Sequence, residues 1–128
     1  MKILIVDDKA SIRMAMEKIL IQLGFGDITH AIDGEDAWDK IKKATPNGPD
    51  PSFDLIVSDM EMPRMSGLEL LSAVRNTSGI NETAFIMATT VSARQIILET
   101  MRLGVQAYIL KPFDRQTVEF KLKQAGIL

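Results

Sequence analysis

The sequence contains no cysteine. Disulfide scaffolds, thiolate metal sites, thiol redox chemistry and cysteine nucleophiles are therefore excluded. Its single histidine, His30, rules out a metal site built from paired histidines such as H-E-x-x-H. Net charge is small as well. A balance of −2, from 15 basic and 17 acidic residues, gives no global attraction to nucleic acid or to an anionic membrane. Long apolar runs are missing, and none approaches the length of a membrane span. The first run, Ile3, Leu4, Ile5 and Val6, ends in Asp7 and Asp8 and is too short for the core of a signal peptide. The expected location is the cytoplasm. What is present is ordinary for a globular protein. The 128 residues are 46% hydrophobic and 25% charged, enough for one compact domain, residues 1–128, with a substantial core.

Short apolar runs alternate with helix-period stretches. Residues 3–6, 55–57, 85–87 and 108–110 are rich in branched or aromatic side chains and read as buried strands. Residues 27–31 are more polar and predict a weaker strand near an edge. Between them lie helices. Ile12, Met16, Ile19, Leu20 and Leu23 share one face, with Ser11 as the expected cap and Gly24 as the stop. Ala37, Ile41 and Ala44 mark a second helix. Leu68, Leu71 and Val74 mark a third, capped by Ser66. Ile96, Ile97 and Met101 mark a fourth, capped by Ser92 and ended near Gly104. Val118 and Leu122 mark a fifth, with Asp114 near its start. The pattern is (βα) five times over, which predicts an α/β fold with a parallel five-stranded sheet and helices on both faces. Three of the five prolines crowd into residues 44–52, which read as a loop.

Sites in open parallel sheets form at the carboxyl ends of the strands. Asp7 and Asp8 follow the first run, Ser58 and Asp59 the third, Thr89 and Thr90 the fourth, and Lys111 and Pro112 the fifth. Three carboxylates on one rim repel one another unless a cation joins them. Mg²⁺ prefers oxygen ligands and retains water, which suits such a rim. Lys111 is a compact cation suited to a phosphoryl oxygen. Thr89 can hydrogen-bond that same oxygen, and an aspartate can serve as the nucleophile. Together these residues read as a phosphoryl-transfer site.

Four segments carry a resemblance: I-L-I-V-D-D, L-I-V-S-D-M-E-M-P-R-M-S-G-L-E-L-L, F-I-M-A-T-T and A-Y-I-L-K-P-F. They recur in order over nearly the whole chain, each at a strand end. In these the chain resembles the receiver domain of two-component response regulators, especially stand-alone, CheY-like regulators. The resemblance implies a doubly wound, flavodoxin-like sheet of strand order 2-1-3-4-5. It implies that Asp59 is the phosphoacceptor. Asp8 would bind Mg²⁺ (or Mn²⁺) directly and Asp7 through water, with Asp59 and the backbone carbonyl of Glu61 completing the protein ligands. Thr89 would be the switch hydroxyl, Lys111 the invariant lysine with a cis bond to Pro112, and Tyr108 the aromatic switch. The implied donor is a histidine kinase or phosphotransfer protein. The implied partner is an effector protein meeting the face of the fourth helix, fifth strand and fifth helix, with no direct nucleic-acid contact and no membrane insertion. Such a chain catalyses only its own phosphorylation and dephosphorylation.

The chain departs from the family pattern in three places. The proline-rich loop is long and is expected on the side away from the rim. Glu61 is acidic and bears on the lifetime of the phosphorylated state. Thr90 stands where small residues are commoner. Other readings remain at this point. Asp7 and Asp8 alone could cap a helix, Tyr108 could be a packing aromatic, and Trp38 and most methionines read as core filler, with Met101 open to a partner surface. His30 is expected to lack partners. An aspartate-nucleophile phosphatase would place a second aspartate where Glu61 stands. A flavodoxin-like cofactor binder would need a phosphate loop where the two acids lie. An excised receiver of a larger regulator is a further alternative.

Overall fold

A computed structural model describes all 128 residues. The elements run β1 (Lys2–Val6), α1 (Ala10–Gln22), β2 (Asp27–Ala31), α2 (Gly34–Lys43), β3 (Leu55–Ser58), α3 (Gly67–Arg75), β4 (Ala84–Thr89), α4 (Arg94–Arg102), β5 (Ala107–Leu110) and α5 (Arg115–Gln124). All strand pairs are parallel, in the order β2-β1-β3-β4-β5. The alternation of runs predicts the parallel sheet with helices on both faces, and the strand order is the flavodoxin-like, doubly wound one that the family resemblance implies.

Strand residues alternate between two faces because successive side chains point to opposite sides of the pleat. Leu4, Val6, Ile56, Phe85 and Met87 pack with Ala37, Ile41, Leu70, Leu71 and Val74 from α2 and α3. Ile3, Ile5, Leu55, Val57, Ile86, Ala88 and Ile109 pack with Met16 and Leu20 of α1 and Val118 and Leu122 of α5. Both sheet faces are thus covered by helices, which explains the unbroken apolar runs. β2 pairs with β1 alone, so the edge position expected from its polarity is correct.

The caps divide. Ser66 forms a reciprocal capping box with Glu69, and Asp114 accepts from the Thr117 N–H. Asp33 caps α2, a role not anticipated. Ser11 and Ser92 do not act as expected: Ser11 lies inside α1, which starts at Ala10, and α4 has Ala93 at its cap position without a side-chain bond. The fourth helix also differs in its buried face. Thr100 is its fully buried residue, Ile96 and Ile97 are half-buried and Met101 is exposed. Thr100 hides its hydroxyl by donating to the Ile96 carbonyl at 2.7 Å.

The proline-rich loop lies where expected. Pro51 O accepts from Lys2 Nζ at 2.8 Å, at the start of β1 and away from the rim that follows its end. No helix is long and apolar enough to cross a membrane.

Candidate functional site

The chain runs from β1 to β2 on one side and returns to β3 on the other, so the strand order reverses between β1 and β3. That reversal opens a crevice at their carboxyl ends. Ladder bonds continue one residue past each strand and fix what stands there. Asp59 N–H donates to Val6 O at 2.9 Å, Lys111 N–H to Thr89 O at 2.8 Å, and Asp7 N–H to Ala31 O at 3.2 Å. Four strands of the sheet therefore place Asp7, Asp59, Thr89 and Lys111 as a unit.

Carboxylate oxygens of Asp7, Asp8 and Asp59 all lie within 4.8 Å of one another. Asp7 and Asp59 are buried, whereas Asp8 is exposed. Lys111 Nζ sits against two of them, 2.6 Å from Asp7 Oδ2 and 3.4 Å from Asp59 Oδ2. The remaining oxygens are also engaged: Asp7 Oδ1 accepts from Lys9 N–H at 2.9 Å and Asp59 Oδ1 from Met60 N–H at 2.7 Å. One ammonium among three carboxylates leaves surplus negative charge, and every donor in the set is an oxygen. That chemistry fits a hard divalent cation such as Mg²⁺. Glu61 is exposed in the loop after Asp59, two residues on from the crevice.

Gly67 makes the close packing behind Asp59 possible. A β-carbon there would fall 2.1 Å from the Asp59 carbonyl oxygen, inside any allowed contact. The start of α3 can lie against the Asp59 backbone only because this residue has no side chain.

Thr89 is fully buried, and its Oγ1 accepts from Val91 N–H at 3.2 Å. The Val91 carbonyl accepts from the Tyr108 hydroxyl at 2.7 Å. Val91 thus joins Thr89 to Tyr108 through its own two backbone groups. Neighbouring Thr90 is exposed, so of the two adjacent threonines only Thr89, the one expected at the switch position, is buried. Burial, and secondarily the Asp59 charge, hold the Tyr108 hydroxyl above its ordinary value near 10. Tyr108 is the only tyrosine, so its alkaline absorbance titration is unambiguous. The expected midpoint lies above that ordinary value, and lower in Asp59→Asn than in the native chain. A raised folded-state value means that the stabilisation is complete below the unfolded value and is lost as pH rises through the folded one. Tyr108→Phe should remove that alkaline loss. A midpoint at or below the ordinary value would contradict this placement of the ring.

Comparison with known proteins agrees with this geometry. The family profile for the response regulator receiver domain matches residues 3–123. The chain belongs to the response regulator receiver family. Chemotaxis protein CheY1 of Helicobacter pylori is 34% identical over 125 residues, covering 96% of this chain and 94% of that protein. Chemotaxis protein CheY-3 of Vibrio cholerae is 37% identical over 122 residues, covering 95% and 88%. Among solved structures, the chemotaxis response regulator CheY4 of Vibrio cholerae superposes with a TM-score of 0.82 at 34% identity, with 97% of each chain covered. This receiver is thus a CheY-like regulator of two-component signalling. Receivers as a family bind Mg²⁺ at an acidic pocket, and they work between histidine kinases and downstream effectors.

Arg13, Glu17 and His30 were not anticipated near the receiver's acidic turn. His30 Nε2 bonds Glu17 Oε2, and Arg13 Nε donates to His30 Nδ1 at 3.3 Å. The expectation that His30 lacks partners is therefore incorrect. Arg13 and Glu17 are four apart on α1, a legible pair, but their meeting with β2 is a tertiary contact with no local signal.

Proposed function

We propose that this receiver accepts a phosphoryl group on Asp59 from a phosphohistidine of a sensor kinase or phosphotransfer protein. The observation that carries this reading is the Lys111 ammonium lodged between Asp7 and Asp59 at the strand-reversal crevice. An Asp59 carboxylate oxygen attacks phosphorus, and the new P–O bond forms as the P–N bond breaks. The electron pair leaves with the imidazole nitrogen, which takes up a proton. Later attack by water on phosphorus releases inorganic phosphate and restores the carboxylate. The chain acts only on its own phosphorylation and dephosphorylation, and we place it in the cytoplasm.

Asp7, Asp8, Asp59 and the Glu61 carbonyl would hold Mg²⁺, which when bound neutralises charge developing on the transferred oxygens. Lys111 supplies a fixed positive charge beside the acceptor. Met60 N–H orients Asp59 through Oδ1. The new phosphoryl group offers oxygens that accept from the Thr89 hydroxyl and draw Oγ1 away from Val91 N–H. Once Thr89 turns inward, the Val91 peptide loses one anchor and the carbonyl partner of Tyr108 shifts with it. This biases the segment before α4 between two arrangements. Leu98 and Met101 of α4, Leu110 of β5 and Phe120 of α5 are exposed apolar residues, and they support an effector protein meeting this face.

Amide NMR spectra before and after treatment with acetyl phosphate and Mg²⁺ test the switch. The expected shifts extend from Asp59 to residues 89–91, Tyr108 and α4. Shifts confined to Asp7, Asp8 and Asp59 would contradict the switch while leaving the phosphoacceptor intact.

A further inference from the structure

The turn from β1 into α1 has no side-chain cap, since Lys9 at the cap position contributes no side-chain bond. Its shape rests on Asp7. Asp7 N–H reaches Ala31 O, and Asp7 Oδ1 accepts from Lys9 N–H. The Asp7 carbonyl accepts from Arg13 Nη1 at 2.6 Å. This last donor comes from the first turns of α1 and reaches back over the helix start.

Arg13 is itself braced. Its Nε donates to His30 Nδ1. A guanidinium can only donate, so Nδ1 is the accepting nitrogen. The proton of the neutral ring then lies on Nε2, facing Glu17. Glu17 stands on the same helix as Arg13. The His30 carbonyl is held from the α2 side by Lys40 Nζ at 2.7 Å. Glu17, His30, Arg13 and the Asp7 carbonyl thus form a continuous chain from the edge strand to the acidic turn.

We propose that Arg13 positions the Asp7–Asp8 turn for the cation, and that His30 and Glu17 hold Arg13 in place to do so. This rests on reading that turn as the cation site. The Asp7 carbonyl belongs to the peptide that joins Asp7 to Asp8, so its bond to Arg13 fixes the plane of that peptide. Asp8 is exposed, and the direction of its carboxylate is inherited from that plane. The guanidinium reaches the imidazole nitrogen and the carbonyl from two different nitrogens of one rigid plane, Nε and Nη1; an ammonium presents all its donors from a single atom and lacks that fixed fork. Arg13 is a positioning residue here, since it touches the backbone of a ligand residue and not the cation.

The test combines calorimetric Mg²⁺ titration with amide hydrogen exchange of Lys9 in metal-free protein. Arg13→Ala and Arg13→Lys should each weaken Mg²⁺ binding by about ten-fold or more and speed Lys9 exchange. His30→Leu should act in the same sense. His30→Gln keeps an acceptor toward Arg13 and a donor toward Glu17, and should return toward native values. Native-like Mg²⁺ binding and native-like Lys9 exchange in Arg13→Ala overturn the proposal. So does full rescue by Arg13→Lys, which would leave charge alone as the cause. Should Arg13→Ala unfold, the two His30 variants decide: equal Mg²⁺ affinity and equal Lys9 exchange in both overturn it. A native chain that binds no Mg²⁺ overturns the cation reading itself, and is recognised by its occurring without any substitution.

Discussion

Asp59→Asn should keep the fold and gain no phosphoryl group under conditions that label the native chain. The side chain stays the same size, and its Oδ1 can still accept from Met60 N–H, which lies 2.7 Å from the native oxygen. What changes is charge. A neutral amide is not a competent nucleophile toward phosphorus, and the acidic cluster loses one of its three carboxylates. Mg²⁺ binding should weaken with it, because carboxylate count sets affinity at such sites. Stability should change little, since less repulsion within the cluster offsets the lost attraction to Lys111. Intact-mass measurement with peptide mapping checks this, and a normally labelled variant would remove Asp59 from its assigned role.

Lys111→Met should destabilise metal-free protein by about 3 kcal/mol, the scale seen when one partner of a buried ion pair is removed. The Lys111 and Asp7 side chains are 10% and 3% exposed, so water does little to screen the charge left behind. Asp7 would keep only the Lys9 N–H on its carboxylate, beside the second buried acid, Asp59. Mg²⁺ should restore part of the loss, because a cation that binds the folded state alone stabilises it by mass action. Phosphorylation should slow by about a hundred-fold, as when one fixed charge-stabilising donor is removed. Urea unfolding with and without MgCl₂ measures the first effect. An unchanged midpoint in both buffers would mean that Lys111 does not neutralise the site.

The sheet was legible because its strands are buried on both faces and read as unbroken runs. The edge position of β2 showed in its polar residues. The site was legible for a related reason: Asp7, Asp59, Thr89 and Lys111 each directly follow, or end, such a run. The misread positions share another cause, competition from hydrogen bonds, some local and some tertiary, that no cap or periodicity pattern displays. Only three residues separate β1 from α1, and the Asp7 carboxylate takes the Lys9 N–H there, so Ser11 falls within the helix. The segment before α4 is shaped by the bonds of Thr89 and Tyr108 to Val91, not by Ser92. Thr100, not among the residues that marked the fourth helix, is its buried position, with its hydroxyl donating to the Ile96 carbonyl. The contact of His30 with Arg13 joins residues 17 apart in sequence, across two elements whose faces meet only in the folded chain.

The most direct test of the account is the intact mass of the native chain after acetyl phosphate treatment, with Mg²⁺ and with chelator. The predicted result is a gain of one phosphoryl group, mapped to the peptide containing Asp59 and seen only with Mg²⁺. No gain in the presence of Mg²⁺, or an equal gain after chelation, would contradict the assignment of the acidic crevice as a cation-assisted phosphoacceptor site.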